Sequence, residues 1–328
     1  MTDPVLSVVM PVRDGARHIG AALDSIATQS LPGIEIIVVD DGSTDETAQI
    51  VAARAAASDS VHLIQQANAG VSAARNRGIA AARADLVGFL DADDLWHPDK
   101  AARQIETLRE MPGIVLTYTG FRIVDMDGTD LLERSSPPAG QLPLAQLMHR
   151  NVIHTSSVIV RAKALQAACR EGACFDAGLR CFEDFDLWCR IAALPGATLY
   201  GLSDPLCDYR RHEGQATKDW RAMHEGWRAV AERLAQAHPR DWASAEGPAW
   251  AHQLEYCASL AWNAGDVAEM RRLMIRALRF DAGTVMARTD GRIMTGILAC
   301  SYLPRRMQLV IGRAFVAARR AVADRRST

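Results

Sequence analysis

Short apolar runs alternate with amphipathic stretches along the first third of the chain. Four runs have the length and content of buried strands, at residues 6–10, 34–39, 61–64 and 86–90. Residues 19–26 and 71–82 have helical spacing, and a capping-box pattern from Ser43 to Glu46 predicts a helix that continues to about Ala57. This alternation predicts right-handed βαβ units, and therefore an α/β fold with a mostly parallel sheet between helices.

Beyond residue 94 the pattern changes. In chain order the predicted elements are a helix at 98–110, a strand at 114–124, a hairpin turn at 127–128, a strand at 154–160 and a helix at 181–194. From about residue 220 onward the pattern is helical throughout, which predicts a separate helical region with its boundary near 216–222.

Polar residues follow the predicted strands of the first third. They are Arg13 and Asp14 after the first strand, Asp40 and Asp41 after the second, and Asp91, Asp93 and Asp94 after the fourth. Because parallel strands end at the same edge of a sheet, we expect these side chains to converge on one crevice, where open α/β sheets bind ligands. Clustered carboxylates there favour a hard divalent cation. For residues 91–94 alone, a solvated acidic turn explains the pattern equally well.

Composition narrows the class of protein. The 328 residues are 49% hydrophobic and 23% charged, as in soluble globular proteins, and a net charge of -2 gives no reason to expect nucleic acid as a partner. Seven cysteines without a Cys-x-x-Cys pair indicate a reducing compartment. The N-terminal residues have no signal-peptide pattern, and no apolar run is long enough to span a bilayer. We therefore expect a cytoplasmic protein, either free or attached peripherally to the inner face of the plasma membrane.

Five stretches resemble glycosyltransferase family 2, and they occur in the family's order. They are VVMPV at 8–12, VVDDGSTD at 38–45, NAGVSAARN at 68–76, DADD at 91–94 and EDFDLW at 183–188, with YRRH at 209–212 as a sixth. The resemblance covers about residues 5–215. It implies a GT-A glycosyltransferase domain at 1–218, with a nucleotide-sugar-binding half at about 1–97 and an acceptor half at about 98–218, followed by a helical extension at 219–328.

The resemblance also implies a set of residues that bind the nucleotide sugar. They are Pro11, Val12, Arg13, Asp14, Asp40, Asp41, Gly70, Arg75, Asp91 and Ala92. Asp40 would accept a base N–H, with main-chain help from the end of the first strand, and Arg75 would approach the diphosphate or Asp91. From the residues alone, Asp40 and Asp41 also suit a turn and helix cap, and Arg75 a solvated helix position.

Two positions depart from the family's pattern. Many relatives have aromatic and amide residues where this chain has Arg13 and Asp14. Asp14 brings negative charge toward a negatively charged donor, and it can instead pair with Arg13 or Arg17. The choice of nucleotide is therefore open at this edge.

Metal binding is implied for Asp93 and His212. They would hold Mn²⁺ or Mg²⁺ against the diphosphate oxygens, whereas Asp94 is expected to be structural. Without the resemblance, His212 is an ordinary surface histidine.

Asp184 is the implied general base, and Glu183 is the neighbouring candidate. Inverting transfer needs a group that takes the proton of the attacking hydroxyl, and a carboxylate can do so. From the residues alone, a helix N-terminus is the preferred explanation of both acids, because negative charge is stabilised there.

The predicted function is that of a metal-dependent inverting glycosyltransferase. The donor is a nucleotide-diphosphate sugar, with a UDP-sugar favoured, and the acceptor is a glycan or lipid-linked hydroxyl in cell-surface polysaccharide or glycolipid synthesis. One alternative is a nucleotidyltransferase acting on sugar phosphates, although residues 11–15 contain one glycine and no lysine. The other is a non-catalytic nucleotide-sugar-binding scaffold.

The C-terminal residues 304–322 combine arginines on one side of a helical wheel with apolar residues on the other. Such a basic amphipathic helix can lie on an anionic membrane. A helix packed on its own domain with solvated arginines explains the same pattern.

Overall fold

The computed structural model describes residues 3–211 and 219–302, which divide into two compact units. The first contains residues 3–143, 152–179 and 183–211, and the second contains 144–151, 180–182 and 219–302. The short segments 144–151 and 180–182 thus group with the helical unit, although they lie within the predicted acceptor half. The predicted metal ligand His212 and the basic stretch 304–322 lie outside the described residues.

A single mixed sheet forms the centre of the first unit. In the described part of the chain its strands are β1 (Leu6–Val12), β2 (Ile34–Asp40), β3 (Val61–Gln65), β4 (Leu86–Phe89), β5 (Leu95–Trp96), β6 (Ile114–Val124), β7 (Asp130–Ser135), β8 (Gly140–Leu142), β9 (Ile159–Arg161) and β10 (Thr198–Arg210). The helices are α1 (Ile19–Ala27), α2 (Thr47–Ala57), α3 (Val71–Ala81), α4 (Lys100–Glu110), α5 (Leu144–His149), α6 (Ala162–Ala168), α7 (Glu183–Ala192), α8 (Trp220–Ala237), α9 (Pro239–Asn263), α10 (Val267–Ala287) and α11 (Thr289–Cys300). Helices α5 and α8–α11 belong to the second unit.

The first four strands confirm the predicted parallel arrangement. They lie in the order β3-β2-β1-β4, and every neighbouring pair among them is parallel. Val12 at the end of β1 is opposite Asp40 at the end of β2, and Val9 is opposite Phe89 in β4. The polar residues that follow these strands therefore start from the same edge of the sheet. Beyond β4, strand β9 is antiparallel to β4 and β6, and β6 pairs in parallel with β10.

The predicted capping box at the start of α2 is wrong. The helix begins at Thr47, not near Ser43, and Glu46 is its N-cap without a side-chain capping bond. Ser43 Oγ instead accepts a hydrogen bond from the backbone N–H of Asp14, at 2.9 Å. Asp45 accepts one from the N–H of Thr47, at 3.0 Å. The hydroxyl is used between two loops rather than within one helix.

The predicted strand at 154–160 is only partly correct. Residues Thr155–Ser157 form a 3-10 turn, and the strand begins at Ile159. The turn forms because its side chains bond locally, as in the 2.6 Å bond from Ser157 Oγ to the carbonyl of His154. The sequence also missed β10, which passes through Pro205 with shifts of its register against β6. Proline removes a backbone donor and so obscures a strand pattern.

Two of the seven cysteines are paired with each other in the first unit. Cys169 and Cys174 are joined by a disulfide across five residues, with their Cα atoms 4.1 Å apart. Four further cysteines are buried: Cys181, Cys189, Cys207 and Cys257.

The second unit is helical, as predicted. Its core includes Leu254, Met270 and Leu273, which are fully buried. Asp266 caps α10 by accepting from the N–H of Glu269 at 3.1 Å, and α10 is broken at Asp281. In the described ranges, none of the helices combines the length and hydropathy needed to cross a membrane.

Lys100 at the start of α4 is a fully buried amine, and it makes stability depend on pH. Its Nζ lies 3.8 Å from the centroid of the Trp96 ring and donates to Gln104 Oε1 at 2.6 Å. Burial lowers the pKa of Lys100 to about 7. In the unfolded chain that pKa is about 10.4, so between these values the unfolded state holds a proton that the folded state has lost.

Between pH 7 and pH 9 Lys100 is therefore expected to add about 2 kcal/mol to the free energy of unfolding, at about 1.4 kcal/mol per pH unit and proton, with the folded group half-titrated at pH 7. The buried thiols of Cys189, Cys207 and Cys257, whose pKa values are raised by burial, act in the opposite direction over this range. Denaturant unfolding of the wild type and of Lys100→Met at both pH values measures the contribution of Lys100. The change in the free energy of unfolding from pH 7 to pH 9 is expected to be less positive by that amount in Lys100→Met, and equal changes in the two proteins would contradict the assignment.

Candidate functional site

The loops after β1 and β2 are bonded to each other. Asp14 has a left-handed backbone, with φ 50°, and its Oδ1 accepts from the N–H of Thr44 at 2.7 Å. The hydrogen bonds from Thr44 lower the pKa of Asp14. Arg13 lies 3.7 Å from the same carboxylate, whereas Arg17 pairs with Asp127 at 2.8 Å. Of the two pairings left open by the sequence, the one with Arg13 is present.

Asp40 and Asp41 are both buried at the end of β2, and they hold different loops. Asp40 Oδ1 accepts from the N–H of Ser43 at 2.9 Å. Asp41 accepts from the N–H groups of Ala69 and Gly70, both at 2.8 Å, one on each carboxylate oxygen. Gly70 has φ 90° and precedes α3, so Asp41 fixes the start of that helix. Pro11 and Val12, predicted to contact the base, lie beside them in β1, opposite Val39 and Asp40.

Arg75 on α3 joins two acidic segments. Its guanidinium donates to Asp91 Oδ1 and to Glu183 Oε1, each at 2.8 Å, and its side chain is only 5% exposed. Burial opposes the charge, but Asp91 and Glu183 outweigh it and raise the pKa of Arg75. Close packing of α3 on β1 brings it there, since a Cβ at Gly78 would lie 2.4 Å from Val9 Cγ1. Arg75 is therefore not a solvated helix arginine.

The loop that follows β4 gives its three carboxylates different surroundings. Burial opposes ionisation of Asp91, but Arg75 outweighs it and lowers the pKa of Asp91. Asp93 is in the opposite situation, because burial and the charges of Asp94 and Asp91 raise its pKa to about 7. Ala92 between them is half-buried and packs against the core below the sheet edge.

Asp94 is engaged entirely within the protein. It is 1% exposed, and it accepts from Ser156 Oγ at 2.5 Å and from the N–H of Arg210 at 3.0 Å. Its third partner is His154 Nε2 at 2.8 Å. Burial lowers the pKa of His154, but the Asp94 hydrogen bond and charge outweigh burial and raise it. These contacts are those of a structural carboxylate.

The acids at the start of α7 are held from two directions. Phe185 N–H donates to Asp184 Oδ1 at 2.6 Å, and Thr155 Oγ1 donates to Asp184 Oδ2 at 2.9 Å. Glu183 is held by Arg75. Burial and the charge of Asp184 raise the pKa of Glu183. Both acids thus lie at a helix N-terminus, as the residues alone indicate. They are also bonded to Thr155 and Arg75, which belong to other elements of the first unit.

Together these contacts form a closed ring within the first unit. Asp91 is bonded to Arg75, and Arg75 to Glu183. Asp184 follows Glu183 in the chain and is bonded to Thr155. Next to Thr155, the Oγ of Ser156 accepts from the backbone N–H of Asp91 at 3.1 Å. The structure therefore joins the predicted donor edge to the predicted base.

Sequence reasoning missed the turn at 154–156 in this ring. Its signal in the sequence is three polar residues, His154, Thr155 and Ser156, in succession at the start of a predicted buried strand. Hydroxyl and imidazole groups on a buried strand need partners, and this requirement could have drawn attention to the turn.

A divalent cation fits the residues at Asp93. Among residues 3–211 and 219–302, no three His, Cys, Asp or Glu side chains form a complete metal site. Mg²⁺ and Mn²⁺ do not require one, because one or two carboxylates with substrate phosphates and water suffice. Burial and two neighbouring carboxylates raise the pKa of Asp93, and a cation beside it would favour its ionised form.

Comparisons with known proteins identify relatives of this chain by sequence and by fold. Residues 7–166 match the model of glycosyl transferase family 2. The amylovoran biosynthesis glycosyltransferase AmsB of Erwinia amylovora is 29% identical over 66% of this chain and 76% of its own length. Glycosyltransferases of Rickettsia typhi and Rickettsia prowazekii are 29% identical, and the match spans 65% of this chain and 66% of each of theirs.

Solved structures share the fold. The structure of S. aureus TarS 1-349 in complex with UDP has a TM-score of 0.59 at 19% identity and covers 94% of this chain and 91% of its own. A mannosyltransferase from Pyrobaculum calidifontis, solved in complex with GDP-Man and Mn²⁺, also has a TM-score of 0.59 at 19% identity. That match covers 92% of this chain and 89% of the mannosyltransferase chain. Residues 7–166 therefore contain a glycosyl transferase family 2 domain, and the chain shares the GT-A fold of these solved glycosyltransferases.

Proposed function

We propose that this protein is a metal-dependent inverting glycosyltransferase. It transfers a sugar from a nucleoside-diphosphate sugar to the hydroxyl of an acceptor. The observation that supports this proposal is the ring of contacts from Asp91 through Arg75 to the acids of α7 and back through Thr155 and Ser156. This hydrogen-bond network connects Asp91, which is suited to the nucleotide-sugar donor, with Asp184, which is suited to the acceptor.

The donor lies at the ends of β1, β2 and β4 in this proposal. Asp40 accepts an N–H of the base, beside main-chain groups of Pro11 and Val12. Asp41 acts through Gly70 and the start of α3, because both of its oxygens already hold that loop. Arg75 and Asp91 face the ribose and diphosphate. TarS was solved with UDP and the mannosyltransferase with GDP-Man, and of these we favour a UDP-sugar here.

The metal ligand in this proposal is Asp93, with His212 as a second ligand outside the described residues. Mn²⁺ or Mg²⁺, when bound, neutralises the charge that develops on the diphosphate as the glycosidic bond breaks. Asp94 keeps the loop in place through its bonds to Ser156 and the backbone of Arg210.

Asp184 acts as the general base. The acceptor oxygen attacks the anomeric carbon from the face opposite the diphosphate, and its proton passes to Asp184. The new glycosidic bond forms as the bond to the diphosphate breaks, so the configuration inverts and no covalent enzyme intermediate is needed. Glu183 is placed beside Asp184 and is held by Arg75, which suits a contact with the acceptor.

The acceptor is proposed to be a growing glycan or a lipid-linked sugar. AmsB is named for the biosynthesis of amylovoran, which favours a role in cell-surface polysaccharide synthesis. Contact of the basic stretch 304–322 with an anionic membrane would suit a lipid-linked acceptor. Transfer from the identified donor to glycan and lipid-linked acceptors would distinguish these two classes.

A thermal-shift screen tests donor and metal together. We expect a UDP-sugar to raise Tm in the presence of Mn²⁺ and not in EDTA, with a stabilisation of about 2.7 kcal/mol at one hundred times Kd. Asp93→Asn is expected to lose most of this shift, because it removes a metal ligand. The exposed Asp59→Asn serves as a matched control and should keep it. An unchanged shift in Asp93→Asn would exclude its metal role, and pyrophosphate release from a nucleoside triphosphate and a sugar phosphate would favour a nucleotidyltransferase instead.

A further inference from the structure

The turn before β9 holds acids on both sides of the site. Three consecutive side chains take part: His154 and Ser156 donate to Asp94, and Thr155 donates to Asp184. Asp94 belongs to the loop that follows β4, and Asp184 lies at the start of α7. The turn therefore links the donor edge to the base through covalently adjacent residues.

Thr155 fixes the plane of the Asp184 carboxylate. Phe185 N–H holds Oδ1 at 2.6 Å and Thr155 Oγ1 holds Oδ2 at 2.9 Å. The bond from Phe185 comes from the start of the helix itself, so Thr155 is the partner that prevents rotation about the Cβ–Cγ bond. An ionised carboxylate has about four acceptor sites, so lone pairs remain for an incoming hydroxyl.

Ser156 has the corresponding role for the donor loop. Its Oγ accepts from the N–H of Asp91 at 3.1 Å and donates to Asp94 Oδ2 at 2.5 Å. One hydroxyl therefore fixes both ends of the loop that contains Asp93. Asp94 has further bonds, so removal of this hydroxyl loosens the loop without freeing it.

The turn itself is well anchored. Thr155, Ser156 and Ser157 are buried, at 4%, 0% and 0% exposure. Trp96 Nε1 donates to the carbonyl of Ser156 at 2.7 Å, and Gln104 Nε2 donates to the carbonyl of Ser157 at 3.0 Å. Neighbouring elements thus hold the backbone of the turn. Removal of one hydroxyl is therefore expected to affect the carboxylate that the hydroxyl contacts more than the conformation of the turn.

We propose that Thr155 is a positioning residue for the acceptor base, and that this turn sets the distance between base and donor loop. The inference rests on the proposed role of Asp184 as that base. It predicts that two adjacent hydroxyls have different kinetic effects: Thr155 governs the rate of transfer, and Ser156 governs binding of the donor with its metal.

Steady-state kinetics of Thr155→Val, Thr155→Ser and Ser156→Ala test this. Thr155→Val keeps the shape of the side chain and removes the hydroxyl, and we expect kcat to fall about 10- to 100-fold, as for a small misplacement of a reacting group. Its donor KM and its Mn²⁺-dependent thermal shift should stay at wild-type values. Thr155→Ser restores the hydroxyl and should recover most of kcat. Ser156→Ala should raise the donor KM and reduce the thermal shift.

Each remaining outcome contradicts one proposal or both. If Asp184→Asn is inactive but Thr155→Val keeps kcat within twofold of wild type, the positioning role is wrong and the proposed function stands. The positioning role is also wrong if Thr155→Ser is as slow as Thr155→Val, or if Thr155→Val changes only the donor KM. If the wild type transfers no sugar, or Asp184→Asn turns over normally, both proposals are wrong. Should Thr155→Val fail to fold, Thr155→Ala replaces it with the same expected result.

Discussion

Asp184→Asn is expected to lower kcat for sugar transfer by about 10²- to 10⁴-fold, the usual contribution of a general base. An amide cannot take the proton of the attacking hydroxyl at neutral pH. The substitution is nearly isosteric: the amide oxygen can still accept from Phe185 N–H, and the amide nitrogen can donate to Thr155 Oγ1. The loss therefore reflects chemistry and not collapse of the site.

Two measurements separate chemistry from binding. Initial rates at saturating donor and acceptor give kcat, and the thermal shift with Mn²⁺ and donor reports binding, which is expected to remain near wild type. Glu183→Gln is the matched comparison, because Glu183 is the neighbouring acid and is held by Arg75. We expect a smaller loss of kcat in Glu183→Gln. Near-normal turnover in Asp184→Asn would remove this residue from the mechanism.

The nucleotide side of the fold could be predicted from the sequence because its signals are local. An apolar run followed by acids indicates a buried strand and its end, and alternation with helices makes the strands parallel. Asp40 and Asp91 accordingly start from one edge of the sheet, as expected. Periodicity reports which face of an element is buried, and for the first four strands that information is enough.

The partners of polar side chains could not be predicted in the same way. The local pattern places Ser43 in a helix cap, whereas its hydroxyl meets the backbone of Asp14, 29 residues away. Thr155 and Asp184 are also 29 residues apart, and Ser156 and Asp94 are 62 apart. Such contacts depend on where strands and helices are placed in the sheet, which the hydrophobic pattern does not specify. The direct contacts of Asp14 and Asp41 with the donor remain predictions for the same reason.

Arg75 shows how the fold and the site depend on each other. The sequence allows a solvated arginine, because α3 has little amphipathic character. The burial of Arg75 depends on tertiary packing, because α3 packs on β1 at Gly78 and the guanidinium contacts Asp91 after β4 and Glu183 in α7. One buried cation between two acids then joins the two acidic segments of the site.

We therefore expect Arg75→Met to be strongly destabilising, by about 3–5 kcal/mol, the typical cost of leaving a buried charge without its partner. Asp91 and Glu183 would both lose their counter-charge. The pKa of each acid would rise in the folded variant, so the loss of stability should be greatest at neutral pH. It should become smaller as pH falls, because protonation of the acids in the folded state removes the uncompensated charge. Denaturant unfolding at pH 7 and pH 5 measures both effects.

Two controls make this test specific to the buried network. Arg54→Met removes a surface arginine that pairs with Asp24 at 2.6 Å, and it should cost less than about 1 kcal/mol because that pair is exposed to solvent. In the double variant Arg75→Met/Glu183→Gln, one of the two stranded carboxylates is neutral, so part of the lost stability should return. If Arg75→Met costs no more than Arg54→Met, Arg75 does not compensate these acids in the folded protein. If the cost is large but independent of pH, it arises from lost packing of the side chain and not from charge.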